Sequence, residues 1–211
     1  MAPMGCETGS KGGNNGTSDG CGCCTPTSAS PSQKYPKLAE LIRYLDSLTG
    51  RADLGTLENL LRGVSLTRAD IEDACCFGAR GYKRNTISRS DWYELLALCW
   101  RSGDVTPIHD HQGVSCAFRI VHGTGTEIRF ARTPSGLICP AGTVSMQPGY
   151  VCAAMDADIH QVANMQSPGT DLVTMHIYSP PIKKMNTYEF ATPISAECRD
   201  VYKDQAAGVG A

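Results

Sequence analysis

The chain has 211 residues, 19 basic and 21 acidic, so its formal net charge is −2 and its length suits one domain with additions. The near-neutral balance leaves no electrostatic footprint for nucleic acid or an anionic membrane surface. No stretch approaches the roughly 18 apolar residues of a membrane span and no apolar signal segment follows the N-terminus, so a soluble, cytoplasmic monomer is expected. Eleven cysteines against five histidines stand out. In a reducing compartment an odd cysteine count does not describe a disulfide framework, so these thiols are packing groups, metal ligands or reactive groups.

Residues 1–34 contain no Leu, Ile, Val or aromatic residue and hold 7 of the 22 glycines. Such a segment cannot bury enough apolar surface to offset its ordering entropy, and a disordered tail is expected. It carries Cys6, Cys21, Cys23 and Cys24, whose spacing is not that of a paired zinc site. A linker is the simpler reading of this tail, with soft-metal binding or redox exchange as the alternative.

From Tyr35 to about residue 80 the pattern is helical. Leu38, Leu41, Ile42, Leu45 and Leu48 recur at intervals of three and four, as do Leu54, Leu57, Leu60, Leu61 and Val64. Thr67-Arg68-Ala69-Asp70 is a capping signal for a third short helix reaching Cys76. Beyond Gly81 the chain predicts short strands at Trp92–Trp100, Val114–Val121, Glu127–Ala131, Val144–Met146 and Leu172–Tyr178. Many short strands after a helical run imply a mainly β domain, an antiparallel barrel or sandwich over residues 81–190, covered on one face by the short N-terminal helices. Residues 191–211 are read as an extension.

His109-Asp110-His111 places two imidazoles on one face of a strand, because side chains alternate. The surrounding spacing runs Gly103, five residues, His109-x-His111, four residues, Cys116, six residues, Gly123; further on come Gly149, His160 and Asn164. This resembles the two motifs of the cupin superfamily, with Cys116 at the usual Glu position and with Met155 and Ala157 replacing the second motif's Pro and Gly. The resemblance implies one metal held by His109, His111 and His160. Three neutral imidazoles suit ferrous iron or zinc, so the ligands alone leave the metal open.

The blocks Tyr82-Lys83-Arg84-Asn85, Leu98-Cys99-Trp100, Ile108 to His111, His160 to Asn164 and His176 to Pro181 resemble the thiol dioxygenase family, its cysteine dioxygenase branch in particular. The resemblance spans about half the chain, from Tyr82 to Met185. It implies Fe(2+) as the metal, with a small thiol and O2 as partners. Cysteine would bind through its thiolate and amine, and both oxygen atoms would pass to sulfur, giving cysteine sulfinic acid in a step of cysteine catabolism.

Within the family, Arg at the Arg84 position goes with cysteine, and Gln there with 3-mercaptopropionate. Met185 stands where the mercaptopropionate type tends to carry Arg. Arg84 is therefore expected to clamp the substrate carboxylate, with Tyr82 shaping the pocket. The family's Ser-His-Tyr relay maps onto Thr174, His176 and Tyr178, and its Cys–Tyr thioether pair onto Cys116 and Tyr178. His122 receives no role. The rivals are a dioxygenase of 3-mercaptopropionate or cysteamine, a non-catalytic metal-binding cupin, and a thiol sensor using the tail cysteines.

Overall fold

The computed structural model describes residues 29–183 and 185–189, and of residues 155–157 only the backbone. The four tail cysteines and the 191–211 extension lie outside the described residues. The last turn of the presumed tail is ordered as α1 (Pro31–Lys34), where Ser30 accepts from the Gln33 backbone and Gln33 reaches back in a capping box. Helix α2 (Ala39–Asp46) buries Leu41, Ile42 and Leu45, and α3 (Leu54–Gly63) buries Leu57 and Leu61. Each such aliphatic side chain is worth about 1.5–3 kcal/mol when fully buried. Asp53 caps α3 by accepting from the Thr56 backbone N–H at 2.8 Å.

The predicted third helix forms as a 3-10 segment, Arg68–Ala74, shorter than expected. Its Thr67/Asp70 capping box is present, but Ile71 leaves helical geometry at φ −133° while burying its side chain completely. Core burial of one β-branched residue has overridden the regular α spiral.

Eight strands follow: β1 (Lys83–Arg89), β2 (Glu94–Trp100), β3 (Ile108–His122), β4 (Gly125–Arg132), β5 (Ile138–Met146), β6 (Val151–Ala163), β7 (Leu172–Ser179) and β8 (Thr187–Tyr188). They form one antiparallel sheet in the order β1-β2-β7-β3-β6-β4-β5, with β8 added to β3. The predicted mainly β architecture is therefore present, but the hydrogen-bonded path does not close from β5 back to β1.

Alternation gives β2 and β7 two distinct faces. Leu95, Ala97, Cys99, Val173, Met175 and Ile177 join the helices in one core, whereas Leu96, Leu98, Trp100, Leu172 and Tyr178 join a second core on the opposite face. Strand β3 changes parity partway. His109 and His111 face the same pocket as Cys116 and Phe118, which requires the register irregularity between His111 and Ser115. Gly113 sits within it at φ +80°, a conformation that favours glycine. Gly123 ends β3 at φ +74°, where a Cβ would stand 2.3 Å from the Asp171 carbonyl oxygen, so the motif position accepts only glycine.

Among the described residues no helix is long and apolar enough to cross a membrane.

Candidate active site and metal centre

Pairing of β3 with β6 sets His109 opposite His160, and His111 follows two residues along. The ring centroids stand 4.8 Å apart for His109–His111 and His109–His160, and 5.0 Å apart for His111–His160. One ligand nitrogen from each lies within 4.8 Å of the others, and all three residues are buried. His109 Nδ1 donates to the Pro107 carbonyl at 2.8 Å and His160 Nδ1 to the Glu127 carboxylate at 2.9 Å. Both bonds place a proton on Nδ1, which makes Nε2 the candidate ligand atom. His111 Nδ1 is buried without a hydrogen-bond partner.

Burial, then repulsion from His160, pushes the His109 pKa down to about 4. The same causes, with His109 added, push His111 down to about 3. His109 and His111 are thus neutral at pH 7 and offer lone pairs rather than protons. Three converging histidines could hold a divalent transition metal.

Glu127 completes this arrangement and was not singled out from the sequence. It is fully buried on β4, and its other oxygen takes Arg129 Nη2 at 2.8 Å. Burial alone would raise its carboxyl, but His160 and then Arg129 outweigh that and hold it below its ordinary value. Glu127 thus stands one hydrogen bond behind a histidine that could hold a metal. Its only sequence signal was an isolated acid in a short strand.

A small pocket opens beside the histidines. Tyr82, Arg84, Cys116, His176, Tyr178 and Met185 line it together with the three imidazoles. Thr174 lies behind His176 instead of on the wall. Tyr82 stacks on Trp100 with centroids 4.3 Å apart. Arg84 projects from edge strand β1; its guanidinium lies 5.2 Å over the Tyr178 ring, and Nη2 donates to Glu94 at 3.0 Å. Glu94 is itself the cross-strand neighbour of Tyr178. Cys116 is the cross-strand neighbour of Tyr178 on the other side, a free buried thiol whose pKa burial raises well above the ordinary value. His122 is exposed at the end of β3.

Thr174, His176 and Tyr178 form a hydrogen-bonded row extended by Trp100. Trp100 Nε1 donates to Thr174 Oγ1 at 3.0 Å, Thr174 Oγ1 meets His176 Nε2 at 2.9 Å, and His176 Nδ1 meets Tyr178 Oη at 3.2 Å. An indole N–H only donates. Thr174 therefore accepts there, and its hydroxyl keeps a second lone pair and its own hydrogen for the contact with His176 Nε2. Burial, then Arg84, keeps His176 neutral by lowering its pKa well below the ordinary value. The single ring proton of a neutral His176 serves one of its two contacts, so the other ring nitrogen accepts from the hydroxyl facing it. Trp100 anchors the far end of the row.

An antiparallel sheet thus carries a buried three-histidine set that could hold a metal ion, beside a small pocket. The family model described as cysteine dioxygenase type I matches residues 26–191, and the chain belongs to that family. It is 26% identical over 167 residues to the cysteine dioxygenase type 1 of Danio rerio, covering 75% of this chain and 82% of that protein. Against the Homo sapiens cysteine dioxygenase type 1 the identity is 23% over 161 residues, covering 74% and 80%. Among solved structures, a double-stranded β-helix protein from Klebsiella pneumoniae aligns with TM-score 0.44 and 10% identity over 56% of this chain and 93% of that one.

Proposed function

We propose that the chain is an iron(II) dioxygenase that adds both atoms of O2 to the thiol of L-cysteine, giving cysteine sulfinic acid. One observation carries this reading. A buried three-histidine set and the Arg84 guanidinium share one small pocket with the Tyr178 hydroxyl. Ferrous iron held by His109, His111 and His160 would supply a positive centre with open positions, stabilising the substrate thiol as thiolate and activating dioxygen.

The remaining work falls to side chains. Arg84 binds the substrate carboxylate through N–H groups that Glu94 leaves free, which orients the thiol toward the histidines. Tyr178 offers its hydroxyl hydrogen to the bound substrate and oxygen, held in place by His176 and Thr174. Tyr82 on Trp100 walls one side, and Met185 covers the pocket and limits substrate size. Cys116 and Tyr178 are cross-strand neighbours, and we assign them a thioether bond formed during turnover with oxygen as oxidant. We further read the protein as a monomer of a reducing, cytoplasmic setting.

Oxygen uptake by iron-loaded protein given cysteine, 3-mercaptopropionate or cysteamine tests the assignment. Turnover is expected with cysteine foremost. No uptake with any thiol refutes the enzyme, and preference for cysteamine refutes the role of Arg84.

A further inference from the structure

Asp110 sits between the two histidines of the His-x-His pair, and alternation sends its side chain to the opposite side of β3. It is a carboxylate only 6% exposed. A buried charge needs several donors, and one short segment supplies most of them. Tyr188 Oη donates to Asp110 Oδ2 at 2.5 Å, and Asn186 Nδ2 lies 3.0 and 3.2 Å from the two carboxylate oxygens. The Asp110 backbone N–H also donates to the Asn186 carbonyl at 3.3 Å. Arg132 reaches this group through the phenol, with Nη2 donating to Tyr188 Oη at 2.8 Å and the guanidinium 5.0 Å over the ring. The single Tyr188 hydrogen is thus committed to Asp110. Strand β8 pairs Thr187 with His109 and Tyr188 with Ile108. Just before it, Met185 lines the pocket on the inner side.

The ladder to β6 is irregular here. Its register shifts both between His109 and His111 and between His111 and Ser115. His111, moreover, has no partner on Nδ1 to orient its ring. What the neighbouring strand and the ring itself do not fix must be fixed through the backbone. We propose that Asp110 is a positioning residue for the metal site: Asn186 and Tyr188 grip its carboxylate, holding His109 and His111 in ligating orientation and seating Met185 over the pocket. This rests on the reading of His109, His111 and His160 as metal ligands.

Cobalt(II) provides a probe besides activity, because its visible spectrum reports ligand geometry. Full-length wild-type protein is compared with Tyr188→Phe, Asn186→Ala and Asp110→Asn by chelator competition and absorption spectrum. Amide hydrogen exchange at Ile108–His111 is followed in the same proteins without metal. Support for a metal-site component is typically worth 10–100-fold in affinity, so about tenfold weaker cobalt binding is expected for Tyr188→Phe, with an altered spectrum and faster exchange. Tyr188→Phe deletes one hydroxyl outside the pocket, so it keeps the test open if Asp110→Asn does not fold. Wild-type affinity, spectrum and exchange rates in Tyr188→Phe and Asn186→Ala overturn the proposal. Wild-type protein that binds no cobalt overturns the ligand reading instead, and the exchange rates still decide whether the grip on Asp110 exists.

Discussion

Trp100 donates its indole hydrogen to the hydroxyl of Thr174, 3.0 Å away on the neighbouring strand β7. Through that bond Trp100, buried behind Tyr82, anchors the row of Thr174, His176 and Tyr178. Trp100→Phe keeps most of the aromatic packing behind Tyr82 and removes the donor, so Thr174 loses the bond that holds its hydroxyl in the row. The expected result is a kcat about tenfold lower with KM for cysteine little changed, below the 10²–10⁴ typical of losing a general acid outright. Thr174→Val breaks the row itself and should cost more. Steady-state kinetics on the two variants checks the order.

Arg84 is held between the Glu94 carboxylate and the Tyr178 ring. Arg84→Ala removes a charge-assisted hydrogen-bond pair worth about 1.5–3 kcal/mol, or roughly 10–100-fold in kcat/KM for cysteine. Cysteamine, which has no carboxylate, should be turned over no worse by the variant than by wild type. Glu94→Gln removes a competitor for the guanidinium, and a KM for cysteine lowered a few-fold is expected. Kinetics with the two thiols separates these outcomes.

Glu127 stands behind His160 as Asp110 stands behind the His-x-His pair. Glu127→Gln keeps the shape and removes the charge that orients Nδ1. Metal affinity about 10–100-fold weaker is expected by chelator competition.

Cys116 and Tyr178 lie opposite each other on β3 and β7. Forming the thioether removes one hydrogen from each, so intact mass after turnover should fall by two hydrogens. Cys116→Ser should show no such change, and an unaltered wild-type mass would remove the cross-link from the account.

Asp70 tests the helical layer rather than the site. The Thr67 hydroxyl, then Lys37, holds its pKa down to about 2, below the ordinary value. A depressed carboxyl stabilises the fold above its unfolded pKa, about 4 for Asp, and that contribution is lost as pH falls through the folded value. Thermal melts from pH 5 to pH 2 should show a shallower acid loss for Asp70→Asn than for wild type.

The sequence was legible where one local rule decided the outcome. Leucines at helical spacing became α2 and α3, and the His-x-His pair with His160 converges because register alone brings them together. Strand β1 was missed because only Ile87 and Ser88 are buried on an edge of Lys, Arg and Asn. Strand β6 was missed because its run of Ala, Asp and Met lacks β-branched alternation, and its neighbours on both sides impose the extended form. Glu127, Asp110 and the Trp100–Thr174 bond depend on partners 33, 78 and 74 residues away, which spacing within a motif cannot reveal.

The most direct test of the central claim is isotopic. Iron-loaded protein is given L-cysteine under ¹⁸O2, and the product is weighed by mass spectrometry. The account predicts cysteine sulfinic acid carrying two labelled oxygens. Unlabelled product, or oxygen consumed without any sulfinate, would contradict it.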